Sequence, residues 1–153
     1  MKNRWIACAL AALAGCGGAD IRSANEGAQR PDSEMAILFT PREGVYDAQA
    51  RRAHFSAADG KAVGTFMSGF PDATRIAPGT YLLKVRCFDP KLWSPRLPSP
   101  LAETFMLFQA TLEPGHFYEL GCDRIKAYAI DRGTAFESVK NLLHRDAVEK
   151  LRR

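Results

Sequence analysis

Two stretches decide the fold: Ala77-Pro78-Gly79-Thr80-Tyr81-Leu82-Leu83-Lys84-Val85-Arg86-Cys87 and Glu113-Pro114-Gly115-His116-Phe117-Tyr118-Glu119-Leu120-Gly121-Cys122. Each opens with proline where a turn wants φ fixed and glycine where it wants φ positive, the arrangement of a type II turn. Each then alternates with the period of two that belongs to a pleated strand. The first places Tyr81, Leu83, Val85 and Cys87 on one face and Lys84 and Arg86 on the other. The second places Tyr118, Leu120 and Cys122 opposite Glu119. Both cysteines therefore fall on the apolar face of a strand, at nearly the same distance from a Pro-Gly turn.

Working outward, Met35-Ala36-Ile37-Leu38-Phe39-Thr40 is an apolar run ended by Pro41, too short for a helix and suited to a buried strand. Residues 53–57 predict another strand, and Asp59-Gly60 predicts a hairpin leading into a strand over 61–66. Residues 103–112, rich in Phe105, Met106, Leu107 and Phe108, predict a long strand, and residues 126–130 the last one. Between Cys87 and Glu103, residues 88–101 contain Pro90, Pro95, Pro98 and Pro100, which a central strand or helix does not tolerate, so a surface loop is expected. After residue 133 the period changes. Thr134-Ala135-Phe136-Glu137 has the form of a capping box, and Phe136, Val139, Leu143 and Ala147 follow at helical spacing. Short strands joined by Gly/Pro turns and followed by one helix predict a mainly β fold, an antiparallel β-sandwich with a C-terminal amphipathic α-helix, over residues 35–153.

The N-terminus reads differently. Met1-Lys2-Asn3-Arg4 carries two cations, residues 5–15 carry none, and the apolar run is far shorter than the roughly 20 residues of a membrane-spanning helix. It closes on Leu13-Ala14-Gly15-Cys16. This segment resembles the signal and lipobox of bacterial lipoproteins. The resemblance implies cleavage after residue 15, a lipid on Cys16, and a protein tethered to the envelope facing the periplasm. Gly17 in place of aspartate implies the outer rather than the inner membrane. Residues 16–34 are polar and glycine-rich, with Ile21 their only large apolar side chain, and predict a flexible lipidated tether. Around the two Pro-Gly turns the chain is similar to PEGA-like and related immunoglobulin-like or prealbumin-like envelope modules. That likeness implies a noncatalytic domain used for attachment or assembly.

The full sequence has 21 Lys and Arg against 17 Asp and Glu; Lys2 and Arg4 would leave with the signal, giving 19 against 17, a net of +2. Such a balance in an exported chain implies no nucleic-acid partner. In an oxidising compartment Cys87 and Cys122 are expected to pair as one structural disulfide. They form no CxxC pair, and no second pair of Cys or His stands at zinc-ligand spacing.

Signals for chemistry are sparse. No GxSxG, papain-like cysteine context, GxGxxG or GxxxxGK occurs, and Ser68-Gly69 lacks the preceding glycine of a nucleophile elbow. His54, His116 and His144 are scattered over a strand, a turn and a helix without HxH or HExxH spacing. Asp123, Asp131, Glu113 and Glu119 surround the second hairpin as solvated strand-end charges. The expectation is a non-enzymatic protein without metal or cofactor, anchored to the membrane through Cys16 and acting on an envelope protein partner. The alternatives are a small-molecule or metal-binding lipoprotein, and an enzyme whose site is assembled from distant residues. Trp93, with Leu92 and Leu97, sets apolar side chains in the proline-rich loop and is the expected contact site.

Overall fold

Alternation along the strands sorts the apolar side chains into two layers. The computed structural model describes residues 21–24, 30–42, 51–92, 102–143 and 145–151. Within them lie β1 (Ile21–Ser23), β2 (Ala36–Phe39), β3 (Arg52–Ala58), β4 (Lys61–Ala62), β5 (Ala73–Ile76), β6 (Gly79–Phe88), β7 (Glu103–Leu112), β8 (Phe117–Cys122), β9 (Ala127–Asp131), α1 (Phe136–Val139) and α2 (Arg145–Leu151). One sheet has the order β1-β5-β2-β8-β9 and the other β4-β3-β6-β7. This is the sandwich expected from sequence. Most neighbours are antiparallel, while β1 with β5 and β2 with β8 pair parallel.

The space between the sheets is filled by Leu38, Phe55, Ile76, Leu83, Val85 and Leu120. Side chains of opposite parity on the first sheet, Ile37, Phe39 and Phe117, point outward and meet Val139, Leu143, Ala147 and Leu151 of the C-terminal segment. All four residues of β2 are therefore buried, because both its faces are covered. The faces read from the two opening stretches hold: Leu83, Val85 and Cys87 are buried in β6, as are Tyr118 and Leu120 in β8.

The structure departs from the sequence reading in four places. The expected tether over 16–34 contains β1, which extends the sheet alongside β5 and brings Ile21 against the apolar cluster beneath the helices. The expected strand over 61–66 is paired only at Lys61–Ala62, since the chain then leaves the sheet. β5 has no counterpart in the reading, because Ala73-Thr74-Arg75-Ile76 shows no alternation; Thr74 is buried beside Ala73 and Ile76. The C-terminal helix is two short helices, with Ala135 at the first N-cap and no capping side chain; the capping box at Thr134 does not form. The apolar stripe nevertheless buries Val139, Leu143 and Ala147 as spaced, because tertiary packing rather than the cap holds it. No helix among the described residues is long and apolar enough to cross a membrane.

Of the two turn glycines, Gly115 adopts φ +75°, as a type II turn requires, whereas Gly79 sits at φ +152° and already belongs to β6. The Gly115 N–H donates to the Met35 carbonyl at 2.8 Å, and a Cβ there would stand 3.0 Å from the Ser33 carbonyl oxygen. Gly115→Ala is thus expected to cost about 2 kcal/mol through the left-handed backbone and the close approach. The check is a lower urea midpoint at unchanged slope; an unmoved midpoint would show that the turn relaxes freely.

Candidate functional site

The outer face of the second sheet is where the residues missed by sequence reasoning gather. Leu82, Lys84, Arg86 and Phe88 of β6 point outward, beside Glu103, Phe105 and Leu107 of β7, with Lys84 opposite Leu107 and Arg86 opposite Phe105. No helix packs on this face among the described residues. A contiguous apolar surface remains: Phe66 is 69% exposed, Leu107 61%, Leu82 48% and Phe105 41%. Patches of this kind mark contact sites.

A β-bulge builds the wall of the site. The register shifts between Phe55 and Ala57, so Ser56 is the extra residue in β3. Its carbonyl accepts the N–H groups of Val63 (2.8 Å) and Gly64 (3.1 Å), which turns the chain out of the sheet and across its face. Gly64 must be small there, since a Cβ would approach Pro71 Cδ to 2.9 Å. The loop over 65–69 closes on itself through Thr65 Oγ1 and Ser68 Oγ at 2.9 Å. Arg22 fastens it from outside, donating to the carbonyls of Val63 (2.8 Å), Ser68 (2.5 Å) and Gly69 (3.2 Å).

The loop delivers Phe66 and Phe70 onto the sheet. Phe66 meets Phe70 and Phe105 edge to face, with ring centroids 5.8 and 6.1 Å apart, the arrangement that the ring quadrupoles favour. Under them the Arg86 guanidinium lies 4.8 Å from the Phe70 ring centre and 5.5 Å from that of Phe88, and it is ion-paired with Glu103 at 2.7 Å. Arg86 is thus occupied and serves as scaffold. Lys84 differs: its Nζ lies 4.8 Å from the Phe105 centroid, and among the described residues no carboxylate pairs with it. Loop and sheet enclose an open groove of about 450 Å³, lined by Ala57, Ala62, Phe66, Phe70, Leu82, Lys84, Phe105 and Leu107 together with Ser56, Gly60, Gly64 and Thr65. Lys84 is the only ionisable group among these lining residues, so the groove can hold an apolar segment bearing a negative charge.

No protein-family model, curated protein or solved structure matches this chain. The site therefore rests on its own geometry.

The residues named from sequence fall as follows. Leu92 is 44% exposed in a short 3₁₀ turn, while Trp93 and Leu97 lie outside the described residues. The ends of their loop are held together where β6 ends at Phe88: the Asp89 N–H donates to the Ala102 carbonyl at 2.7 Å. Cys16 and His144 also lie outside the described residues. Cys87 and Cys122 come together between the sheets as separate thiols, and Cys122 Sγ donates to the Arg52 carbonyl at 3.7 Å. The Cys122 side chain pulls the Cys87 thiol below its ordinary pKa, against burial; Arg51 adds to the lowering and Asp123 opposes it.

A second polar cluster ties the Pro-Gly turn at Gly115. His116 Nδ1 is 2.9 Å from Asp131, its Nε2 is 3.5 Å from Glu113, and its ring stacks on Tyr118. The Tyr118 hydroxyl accepts the Glu113 N–H at 2.9 Å, and burial raises its pKa. Sequence spacing could not join His116 to Asp131, which are neighbours only across the β8-β9 hairpin. Asp123 closes the far end of that hairpin, accepting the N–H groups of Ile125 and Lys126, which lower its pKa. Among the described residues no three His, Cys, Asp or Glu side chains are placed to hold a metal ion.

Proposed function

We propose that this protein is a lipid-anchored, noncatalytic component of the bacterial cell envelope, held at the outer membrane on its periplasmic side, that acts by binding a partner protein on the outer face of β3, β6 and β7. One observation carries the reading: the first sheet is sheathed by α1 and α2, while the second presents Phe105, Leu107 and Leu82 around Lys84, which no carboxylate among the described residues pairs. Apolar anchors surrounding one charge are the usual make-up of a protein contact. The anchoring half rests on Leu13-Ala14-Gly15-Cys16, which resembles a lipobox behind a charged and then apolar leader.

Two measurements test the two halves. Cys16→Ser should abolish incorporation of labelled fatty acid, and label retained on that variant would refute the anchor. Leu107→Asp should lower the yield of the partner crosslinked in intact envelopes about tenfold or more, as for a central contact worth ~1.4 kcal/mol or above, with the melting temperature unchanged. Capture insensitive to both Leu107→Asp and Lys84→Glu would remove this face from the interaction.

A further inference from the structure

We infer that the loop over 65–69 is a membrane-docking element whose tip, Phe66 and Met67, enters the anionic phospholipid surface to which Cys16 is anchored. The inference rests on the lipid-anchor reading and adds an orientation to it. Met67 is 98% exposed and Phe66 69%, the two most exposed large apolar side chains of the loop that walls the groove. They are adjacent at the tip of a turn stiffened by the Thr65 and Ser68 hydroxyls, so little conformational freedom is lost on insertion.

Chain length fixes what such a tip can reach. Arg22 holds this loop by the Ser68 and Gly69 carbonyls, and Arg22 is six residues after Cys16. Six residues span at most about 20 Å. A lipid on Cys16 therefore keeps the Arg22 backbone within about 20 Å of the anchor, and the Arg22 side chain ties the loop to it. Charge agrees with an anionic surface. Lys84 lines the groove beside Phe66 with no described carboxylate paired to it, and Glu103 on the same face is paired with Arg86. The diacylglyceryl group that the lipobox resemblance implies on Cys16 carries two acyl chains and anchors by itself, so an inserted apolar tip adds orientation rather than attachment. Docked this way, the groove lies next to the membrane surface.

The test uses the mature lipidated protein in vesicles of phosphatidylethanolamine and phosphatidylglycerol. Met67→Trp adds an indole at a fully solvated position, and the unmodified protein, with Trp93 as its only tryptophan once the signal is removed, gives the background. Replacing part of the lipid by phospholipid brominated high on the acyl chains should quench the added emission about twofold, as expected for a side chain at the headgroup–acyl boundary. Lys84→Glu should weaken that quenching. An unquenched indole in protein whose mass includes the lipid on Cys16 would overturn the docking inference alone. A mass without lipid would overturn the anchor and the inference with it. An unquenched indole whose emission shifts only when envelope proteins are added would assign the tip to a protein contact instead, and would equally overturn it.

Discussion

Reduction of the protein taken from an oxidising compartment is expected to lower its stability by about 3 to 4 kcal/mol, and Cys122→Ser by a similar amount. The expectation rests on Cys87 of β6 and Cys122 of β8, which belong to opposite sheets and pack into the same core cluster between them. Joining them would close a loop of about 36 residues, and that constraint on the unfolded chain sets the size of the effect. The step balances simply. The two thiols lose two protons and two electrons as the sulfur–sulfur bond forms, and the electrons reduce the disulfide of an envelope thiol oxidoreductase to a dithiol. Attack needs a thiolate, and the Cys122 side chain, which lowers the Cys87 pKa, favours the thiolate there. Alkylation of the unfolded, unreduced mature protein decides the matter. Neither Cys87 nor Cys122 should react before reduction and both after it; two reactive thiols at the outset would sink the pairing.

The second large effect contrasts the two outer faces. Phe39→Ala, on the face covered by α1 and α2, is expected to cost about 3 to 5 kcal/mol, because Phe39 is wholly buried and its removal leaves a cavity against Val139, Leu143 and their neighbours. Leu107→Ala, on the uncovered face, should cost under about 1 kcal/mol, since 61% of Leu107 is already in water. Both are apolar truncations in strands. Only the covering layer differs. Urea unfolding of the two variants measures it, and equal losses would mean that the outer face of β6 and β7 is covered in solution and is not a free binding surface.

Much of the sandwich was legible because the core-facing positions of β6 and β8 recur with a period of two around Lys84, Arg86 and Glu119, and Pro-Gly turns set where those strands begin. The length of β7 was legible too, since residues 103–112 lack any breaker. The groove was not. Phe105 and Leu107 share a strand with Met106 and Phe108, so apolar residues stand at both parities, and a period of two cannot tell which pair meets the core. Phe66 and Phe70 gave no signal, because the bulge at Ser56 that lifts their loop onto the sheet is a property of pairing with β6. Arg22 was assigned to a tether for the same reason: its acceptors are more than forty residues away.

By itself the sequence determined that β2, β3, β6, β7, β8 and β9 are strands, which face of β6 and β8 meets the core, the charged-then-apolar leader ending at Cys16, and the stripe of Val139, Leu143 and Ala147. These are local matters of φ preference and spacing. Tertiary structure alone decided that the helices cover the first sheet and leave the second open, that the two cysteines meet, and that Lys84 stands without a described acidic partner on an apolar floor. Each depends on contacts between residues distant in the chain, where the energy comes from burial and pairing that no local pattern encodes.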